Sequence, residues 1–509
     1  MRTRWKIIIT FIVLVGLSIV LMSALSLKSD RVGLEVGRVW CVERGFNQSG
    51  EYCVEQLNSP RLIIDQGISL GLFLFVIALT VLKMEWRLGA AMIAVAMLVL
   101  IEATPPQYII SSVSWNLVLF LIGSMTMAGV LREIGVFRFL AVRIVKASRG
   151  NAVTLVALLA LLAYSLAAVL DEVTSIVYVT MLVLELSRII QINPVPLLIF
   201  SVLATNTGSS ALPIGNPIGV YLLFATRMDI SVFIKTSLPL SLIDLVLLVL
   251  IFVFVEKKFI NSISKSLVEK IDKINAYIER QRIAVEVEEG RLHRIKVGLG
   301  VLVAFILTIG FNEYITNGLS LITRSQVDSH AFLAFVPYVF LVILFSMIPM
   351  EEIIKFVERS VEWSSILFFV FLFMLSSTLT YTGAIAKLVY LFSGIARNSG
   401  ELITIMLLSS AGLSAVLDNL SVVVTFTPIV MMFNQLNMGN YLSYFALLFG
   451  GVFGGNYTPI GSTANIVAVG LAEKRKIKVT WSGWLKLALL TTTMQIIAAL
   501  LYLYLLNGF

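Results

Sequence analysis

Charged residues are scarce in this sequence, and their scarcity excludes an ordinary soluble fold. Of the 509 residues only 13% are Asp, Glu, Lys or Arg, 58% are hydrophobic, and the mean hydropathy is +0.95. Soluble domains carry about 25% charged residues. Apolar stretches of about 18 residues or more, each long enough to cross a bilayer as a helix, recur along the chain. The sequence therefore predicts an all-α polytopic membrane protein.

Cysteine and histidine are almost absent, which removes several kinds of chemistry. Cys41 and Cys53 are the only cysteines, and both lie between the first two apolar stretches. They are predicted to form a disulfide in an extracytoplasmic loop, the alternative being two unpaired thiols. His293 and His330 are the only histidines and are expected in loops, which excludes a histidine proton relay or a zinc site.

No phosphate-binding loop motif occurs, so the chain is not expected to hydrolyse ATP, and nothing in it indicates an ATPase partner subunit. We expect no enzyme activity and no cofactor beyond Na⁺ or H⁺ as a coupling ion. The net charge of +8 does not indicate a nucleic-acid partner, because the basic residues lie in loops between apolar stretches. The expected partner is the lipid bilayer.

The distribution of basic residues predicts the orientation of the chain. The apolar stretch 7–27 follows a basic N-terminus and has no small-residue cleavage site, so it is predicted to be a retained first span. Lys and Arg are concentrated in loops 256–296 and 473–478, and such loops remain cytoplasmic. We therefore expect a multi-pass protein of the cell membrane whose N-terminus and loop 256–296 are cytoplasmic.

The two halves of the sequence resemble each other. Residues 113–131 align with 361–379, "AVLDEV" (168–173) with "AVLDNL" (415–420), and "GSSALPIGNP" (208–217) with "GGNYTPIGST" (454–463). These landmarks occur in one order at nearly constant offset, which indicates a duplication. The predicted organisation is a first span and extracytoplasmic loop (1–61), scaffold helices (62–112), repeat 1 (113–255), a basic cytoplasmic loop (256–296), further scaffold helices (297–360) and repeat 2 (361–509).

The charge rule also predicts how the repeats cross the membrane. If stretches 151–190 and 401–435 are re-entrant hairpins, about eleven transmembrane helices place both basic loops in the cytoplasm, and the two repeats are inverted. Two full membrane crossings in place of each hairpin would leave both basic loops on the same, cytoplasmic side. Inverted repeats with helices broken at Gly and Pro are typical of secondary transporters, whose sites lie near the midplane. A plain kink is the alternative for each break.

Each repeat contains an aspartate in an apolar setting, Asp171 and Asp418. A charged Asp at the centre of a membrane helix costs about 2.5–3.5 kcal/mol. The carboxylate can be protonated, can ligate a cation, or can cap a helix by accepting backbone N–H groups. Alternation between the first two states is the minimal requirement of an antiporter. Glu172 stands where repeat 2 has Asn419, and it is the first candidate for the proton carrier; the alternative is a glutamate turned toward water.

Polar residues around these motifs could form an ion or substrate site. Hard cations such as Na⁺ prefer carboxylate, amide, hydroxyl and carbonyl oxygens. The helix after each break directs its positive end toward the same region, which would suit an anion. The candidate ligands are Thr174, Ser175, Asn206, Thr207, Ser209, Ser210, Gly215, Asn216, Ser421, Asn456, Thr458, Gly461, Ser462, Thr463 and Asn465.

These motifs resemble the ion-transporter superfamily, which groups NhaD-type sodium/proton antiporters, ArsB arsenite permeases, the P protein, and citrate and dicarboxylate carriers. "SAVLDNLS" (414–421) is similar to the hairpin motif of the NhaD and P-protein branch, and the two broken-helix motifs are similar to that branch's pair. The resemblance implies a homodimer in which a mobile part moves the substrate by an elevator-like motion. In sodium-coupled dicarboxylate carriers the hairpin tips read Ser-Asn-Thr, of which only Asn419 is present here.

The leading hypothesis is a secondary transporter that exchanges protons for a small inorganic ion, Na⁺ or an arsenite-like species. The alternative is a sodium-coupled carrier of citrate-like or dicarboxylate anions, for which embedded Arg residues would be natural partners. An intramembrane aspartyl protease is disfavoured, because Val-Leu precedes both aspartates, and a passive channel would not need two hairpins. Asp244, in a later apolar stretch, is expected to pair with Lys235 or to face a polar cavity.

Overall fold

The computed structural model describes residues 2–136, 139–140, 147–148, 151–170, 172–269 and 291–508. These residues form helices and short turns, without a strand among them. The helices are α1 (Arg2–Ala24), α2 (Arg31–Glu43), α3 (Gly50–Leu57), α4 (Pro60–Leu82), α5 (Arg87–Leu100), α6 (Pro106–Ser111), α7 (Trp115–Ile134), α8 (Ala152–Val169), α9 (Glu172–Ile190), α10 (Val195–Ser209), α11 (Pro217–Thr226), α12 (Ile230–Val255), α13 (Lys257–Glu269), α14 (Arg291–Gly310), α15 (Asn312–Thr323), α16 (Ser329–Phe345), α17 (Met350–Ser360), α18 (Trp363–Thr382), α19 (Ala384–Ser393), α20 (Ser399–Ser414), α21 (Asn419–Gln435), α22 (Leu442–Gly454), α23 (Thr463–Lys474) and α24 (Trp481–Leu506).

Several helices have the length and composition of membrane spans. In the described part of the chain, α4, α7, α8, α12, α14, α18 and α24 contain apolar windows long enough to cross a bilayer, seven in all. Other apolar helices are shorter: α10 has 15 residues and α11 has 10. At 1.5 Å per residue a 10-residue helix covers about half of the 30 Å hydrocarbon core. The protein is therefore a polytopic helical membrane protein, and the count of eleven spans stays a prediction.

The chain divides into two compact units. Unit 1 contains Met1–Ser114, Trp363–Gly451 and Leu500–Phe509, and unit 2 contains Trp115–Glu362 and Val452–Ala499. The second hairpin candidate, 401–435, therefore belongs to unit 1, and the first, 151–190, belongs to unit 2. Both broken-helix motifs belong to unit 2.

In unit 1, α4 packs closely against α1 because α4 carries Gly67 and Gly71 one turn apart. A Cβ on Gly67 would lie 2.5 Å from the Cα of Ile19, and one on Gly71 would lie 2.6 Å from the Cα of Val15. Small residues at this spacing allow membrane helices to approach each other through their backbones.

The segment between α1 and α4, which the sequence predicts as a loop, contains the two short helices α2 and α3. A disulfide joins Cys41 of α2 to Cys53 of α3. The segment is attached to the rest of unit 1 by the Trp40 indole, which donates to the carbonyl of Tyr381 at 3.1 Å. Both histidines, expected in loops, lie in the first turns of α14 and α16.

Two helix pairs carry the aspartate motifs, and each pair is joined by a short connection. In unit 2, α8 ends at Val169 and α9 begins at Glu172; in unit 1, α20 ends at Ser414 and α21 begins at Asn419. An asparagine caps the first helix of each pair: Asn151 accepts from the N–H of Thr154, and Asn398 accepts from the N–H of Glu401. The members of each pair pack against each other.

Candidate functional site

Both Pro-Ile-Gly motifs interrupt a helix in unit 2. In repeat 1, α10 ends at Ser209, a 3₁₀ turn covers Pro213–Gly215, and α11 begins at Pro217. In repeat 2, α22 ends at Gly454, a 3₁₀ turn covers Gly455–Tyr457, and α23 begins at Thr463. The interruptions release backbone groups from the helical ladder, so polar side chains are needed to satisfy them.

Aligned residues cap the two helices that follow the interruptions. Asn216 accepts from the N–H of Ile218 at 2.9 Å, and Ser462 accepts from the N–H of Ala464 at 3.2 Å. Both capping residues have extended backbone angles, with φ of −151° and −141°. At each of these positions the positive end of a short helix lies beside buried polar groups.

Three asparagine side chains connect the two interruptions. The amide of Asn206, on α10, donates to Asn456 Oδ1 at 2.5 Å and to Asn465 Oδ1 at 2.9 Å. Asn465 in turn donates to the carbonyl oxygens of Gly455 and Thr458, at 2.9 and 2.8 Å. All three asparagines are 0% exposed. This trio joins repeat 1 to repeat 2 within unit 2.

A buried carboxylate lies next to the first interruption. Glu172, the first residue of α9, is 4% exposed, and its Oε2 accepts from the Asn216 amide at 2.8 Å. The same amide group lies 3.2 Å from Ser209 Oγ, and the Ser209 hydroxyl donates to the carbonyl of Asn206 at 2.9 Å. The carboxylate is thus connected through Asn216 and Ser209 to the asparagine trio. We call Glu172, Ser209, Asn216 and the trio the carboxylate–amide network.

Gln495 and Trp484 belong to the same region but were absent from the candidates chosen from sequence. Gln495, on α24, donates to Thr207 Oγ1 at 2.8 Å, and the Trp484 indole donates to the carbonyl of Asn456 at 2.9 Å. Gln495 is 1% exposed, and the signal for it was an amide close after three threonines in a mostly apolar helix. Within the described residues, neither Gln495 Oε1 nor Asn206 Oδ1 accepts a hydrogen bond. Both oxygens are buried acceptors that a ligand could use.

The remaining candidates of unit 2 lie around the interruptions in supporting positions. Ser175 donates to the carbonyl of Glu172, and Ser210 donates to the carbonyl of Thr207. Gly215 allows close packing, because a Cβ there would lie 2.4 Å from the carbonyl oxygen of Ala167. Gly461, Ser462 and Thr463 form the start of α23. Asp171 lies outside the described residues, and so does the side chain of Thr174.

The aspartate of repeat 2 acts as a helix cap in unit 1. Asp418 is half-buried, and its Oδ2 accepts from the backbone N–H and the hydroxyl of Ser421, both at 3.3 Å. Asn419 is buried and uses its Oδ1 to accept from the N–H of Leu420 at 2.9 Å. Of the three states available to an embedded aspartate, Asp418 shows the capping one. Its charge can still serve a second role, because a cap uses only part of its hydrogen-bonding capacity.

The chemistry of the unit 2 network is that of oxygen ligands. The network offers one carboxylate together with amide and hydroxyl oxygens, the donor set that hard monovalent cations accept. Among the described residues no group of three or more His, Cys, Asp or Glu side chains could hold a metal ion. The arrangement can bind a proton or a weakly held cation at Glu172, and it presents two helix N-termini that favour negative charge.

Comparison with known proteins shows which family shares these features. The sequence model of the citrate transporter family matches residues 72–431 and 321–507. An uncharacterized transporter of Mycobacterium tuberculosis is 27% identical over 402 residues, covering 78% of this chain and 87% of that protein. The 46 kDa membrane protein of Mycobacterium leprae is 26% identical over 402 residues, with the same coverage. The P protein of Homo sapiens is 26% identical over 464 residues, covering 78% of this chain and 55% of the human protein.

These matches confirm the resemblance to the ion-transporter superfamily and extend over both repeats. Together with the membrane-spanning helices, they identify a membrane transporter rather than an enzyme. The chain belongs to the citrate transporter family.

Proposed function

We propose that this protein is a secondary active transporter that exchanges protons for a small inorganic ion, Na⁺ or an arsenite-like species. The observation that carries the proposal is the carboxylate–amide network, in which the buried Glu172 is connected to asparagines from both interrupted helices. A carboxylate in this setting holds either a proton or a cation, and competition between the two couples their movements. Asn206 Oδ1 and Gln495 Oε1 have no donor among the described residues, so they could ligate Na⁺ or accept from the hydroxyls of arsenous acid.

Glu172 is the proposed proton carrier. As the first residue of α9 it lies at the positive end of its own helix, and through Asn216 it is linked to the start of α11. Two helix N-termini therefore stabilise its ionised form, whereas burial opposes ionisation. A carboxylate held between these opposing effects can serve as the site at which a proton and a cation compete. Asp171, Asp418 and Asn419 are proposed as further ion-coupling residues.

The proposed mechanism is elevator-like, with one unit carrying the site. Both interruptions and Glu172 belong to unit 2, so the network can move as one body without breaking its hydrogen bonds. We further propose a homodimer in the cell membrane, with the N-terminus and the segment 256–296 in the cytoplasm. The predominance of Lys and Arg in that segment supports this orientation.

A sodium-coupled carrier of citrate-like or dicarboxylate anions is the second candidate. The family is described as citrate transporters, and two helix N-termini, at Asn216 and Ser462, lie beside the interruptions. Half-helix N-termini are used by other transporters to bind anionic substrate groups. In this case Glu172 would bind the coupling Na⁺ instead of a proton.

The test is transport in proteoliposomes that contain a pH-sensitive dye. Na⁺, Li⁺, arsenite and citrate are added in turn, and proton movement is recorded for each. The antiporter proposal expects that entry of Na⁺ or arsenite into the liposome lumen is accompanied by exit of protons from the lumen. Citrate uptake that requires Na⁺ and moves no proton would support the second candidate instead. If none of the four moves protons, the antiporter proposal is wrong.

Variants of α9 assign the role of Glu172 in that assay. Glu172→Gln keeps the hydrogen-bonding shape of the side chain but cannot bind and release a proton, so it should abolish proton-coupled transport. Glu185→Gln is the matched control, since Glu185 lies on the same helix, is only half-buried and is outside the network. Equal loss of coupling in both variants would remove Glu172 from the mechanism.

A further inference from the structure

Asp244 is a carboxylate in the middle of α12 that the proposed function does not use. Its side chain is 0% exposed, and within the described residues neither of its oxygens accepts a hydrogen bond. Lys235, the expected partner, is exposed and lies nine residues away, about 13 Å along the helix. An ionised carboxylate buried without a partner costs several kcal/mol. The side chain must therefore be neutralised, and a proton achieves this without further ligands.

Two hydroxyl groups near Asp244, those of Tyr164 and Ser241, are hydrogen-bonded to each other. Ser241 precedes Asp244 by three residues on the same helix face. Its Oγ lies 2.7 Å from Tyr164 Oη and donates to the carbonyl of Leu238 at 2.9 Å. Either hydroxyl can be the donor in the bond between Tyr164 and Ser241. Neither hydroxyl donates to Asp244, although the Tyr164 phenol is close enough to interact with it electrostatically.

In the described part of the chain, the helices that pack most closely against α12 bring no charged group to this position. On α8, Tyr164 is the one titratable residue, and α10 and the 3₁₀ turn Pro213–Gly215 contain none. On α13 the titratable residues begin at Lys257, beyond the end of α12 and about 20 Å from Asp244 along the helix. On α14 they are confined to the first turns (Arg291, His293, Arg294 and Lys296), and none follows from 297 to 310. A proton is therefore the simplest neutralising species for this carboxyl.

Buried polar side chains extend along α12 from Asp244 toward the first interruption. Ser237, Ser241 and Asp244 follow one another at helical spacing along α12, and each is 0% exposed. The Ser237 hydroxyl lies 2.9 Å from the carbonyl of Ala211, which belongs to the interruption after α10. At the other side, the backbone of Tyr164 contacts Gly208, in the last turn of α10. A change of charge at Asp244 could therefore alter the hydrogen bonds at the interruption that follows α10.

We propose that Asp244 is a second proton-binding residue of unit 2, joined to the first interruption by Tyr164, Ser241 and Ser237. It holds a proton in the present conformation and releases it to water when the hydroxyls of Tyr164 and Ser241 turn toward the carboxylate. The inference rests on the proposed proton coupling and adds a carrier that lies in neither repeated motif. Its substrate is H⁺.

Infrared spectroscopy tests whether Asp244 is protonated, independently of any transported substrate. Purified protein is measured at mildly alkaline pH, where exposed carboxylates are ionised and only buried acids show the carbonyl stretch of a carboxylic acid. Asp244→Asn should lose part of this band. Asp229→Asn, an exposed aspartate just before α12, is the matched control and should leave the band unchanged. A band that is identical in wild type and Asp244→Asn overturns the proposal.

Proton counting then tests whether this proton moves during transport. With a substrate that moves protons in the wild type, Asp244→Asn should move one proton fewer per substrate, and Asp229→Asn should not differ from wild type. An unchanged ratio in Asp244→Asn, with the acid band lost, overturns the coupling role. If no substrate moves protons in the wild type, the antiporter proposal fails, and with it this coupling role, while the infrared band still decides whether Asp244 binds a proton.

A second variant keeps the test valid if Asp244→Asn does not fold. The double variant Tyr164→Phe/Ser241→Ala removes both members of one hydrogen bond, a change that is often nearly neutral for stability. It leaves Asp244 in place but without the hydroxyls that would stabilise its ionised form. The acid band should remain and one proton per substrate should be lost. Full proton movement in this double variant contradicts the proposed release step.

Discussion

Gly208 is the position where a single methyl group should separate two helices of the site. A Cβ at this residue would lie 2.2 Å from the carbonyl oxygen of Tyr164 and 2.5 Å from its Cα. These are backbone atoms of α8, so no side-chain rotation can relieve the contact. Restoring an ordinary contact of 3.4 Å requires α8 and α10 to move apart by about 1 Å. Asn206, two residues away, would then be displaced from Asn456 and Asn465.

The expected cost of Gly208→Ala combines two opposing terms. Overpacking costs about 1–3 kcal/mol, and more where the backbone cannot yield. Alanine in a helix gains about 0.5–1 kcal/mol over glycine. Because the contact is with backbone atoms, the overpacking cost lies at the upper end of its range, and the variant should be destabilised by about 2 kcal/mol. This should be seen as a lower midpoint of thermal unfolding in detergent, and transport should fall because the asparagine trio is disturbed.

Gly300→Ala provides the matched control for this experiment. Gly300 lies inside α14, and a Cβ there would meet nothing within 4 Å. The same substitution should raise the unfolding midpoint slightly, because only the helix propensity changes. If Gly208→Ala and Gly300→Ala shift the midpoint in the same direction, the close approach of α8 and α10 is not a constraint on this protein.

Two further predictions concern the trio and the segment between α1 and α2. Asn206→Leu should lower the free energy of unfolding by about 2–6 kcal/mol, because the Oδ1 atoms of Asn456 and Asn465 lose their donor in a buried site. Asn317→Leu, at an exposed asparagine, is the control. Equal unfolding midpoints in the two variants would contradict a stabilising role of the asparagine trio. The N–H of Gly33 and then the hydroxyl of Tyr390 hold the pKa of Asp30 below its usual 3.8. A carboxyl group whose pKa is lowered by folding stabilises the fold at pH values above the pKa of the unfolded state, and this contribution decreases as the pH falls below that pKa. The unfolding midpoint of wild type should therefore exceed that of Asp30→Asn at neutral pH and converge with it below 3.8, and a constant difference would contradict this assignment.

The sequence predicted the class of the protein and the interrupted helices for clear physical reasons. A chain with 13% charged residues cannot cover a soluble surface, and a Pro-Ile-Gly sequence beside Asn, Ser and Thr favours a break, whereas Pro239 alone lies within an intact helix. The number of spans was harder to predict, because half-length helices such as α11 resemble neither a full span nor a loop in a hydropathy profile. The helical content of the segment between α1 and α4 was also missed, since a short amphipathic helix carries a weak signal.

The contacts of the site could not be predicted, because they join distant parts of the chain. Asn206, Asn456 and Asn465 were all candidates, but the hydrogen bonds among them join residues separated by 250 and 259 positions. Gln495 was overlooked because one amide in a 26-residue apolar helix is within the normal variation of membrane spans. For Asp244 the sequence leaves two environments open, an ion pair with Lys235 or a polar cavity, and nine residues of helix place Lys235 too far away to pair.

One difference between the repeats supports the proposed proton role of Glu172. At the cap after each interruption, repeat 1 has Asn216 and repeat 2 has Ser462, and each accepts a backbone N–H. The asparagine also has an amide N–H₂ group, which reaches Glu172 while its oxygen caps α11. A serine has a single proton and a shorter side chain, and the residue of repeat 2 aligned with Glu172 is Asn419, which cannot ionise. The longer cap and the glutamate therefore occur together in repeat 1. Asn216→Ser should separate capping of α11 from hydrogen bonding to Glu172, because serine can still cap the helix but cannot donate to the carboxylate at the same distance.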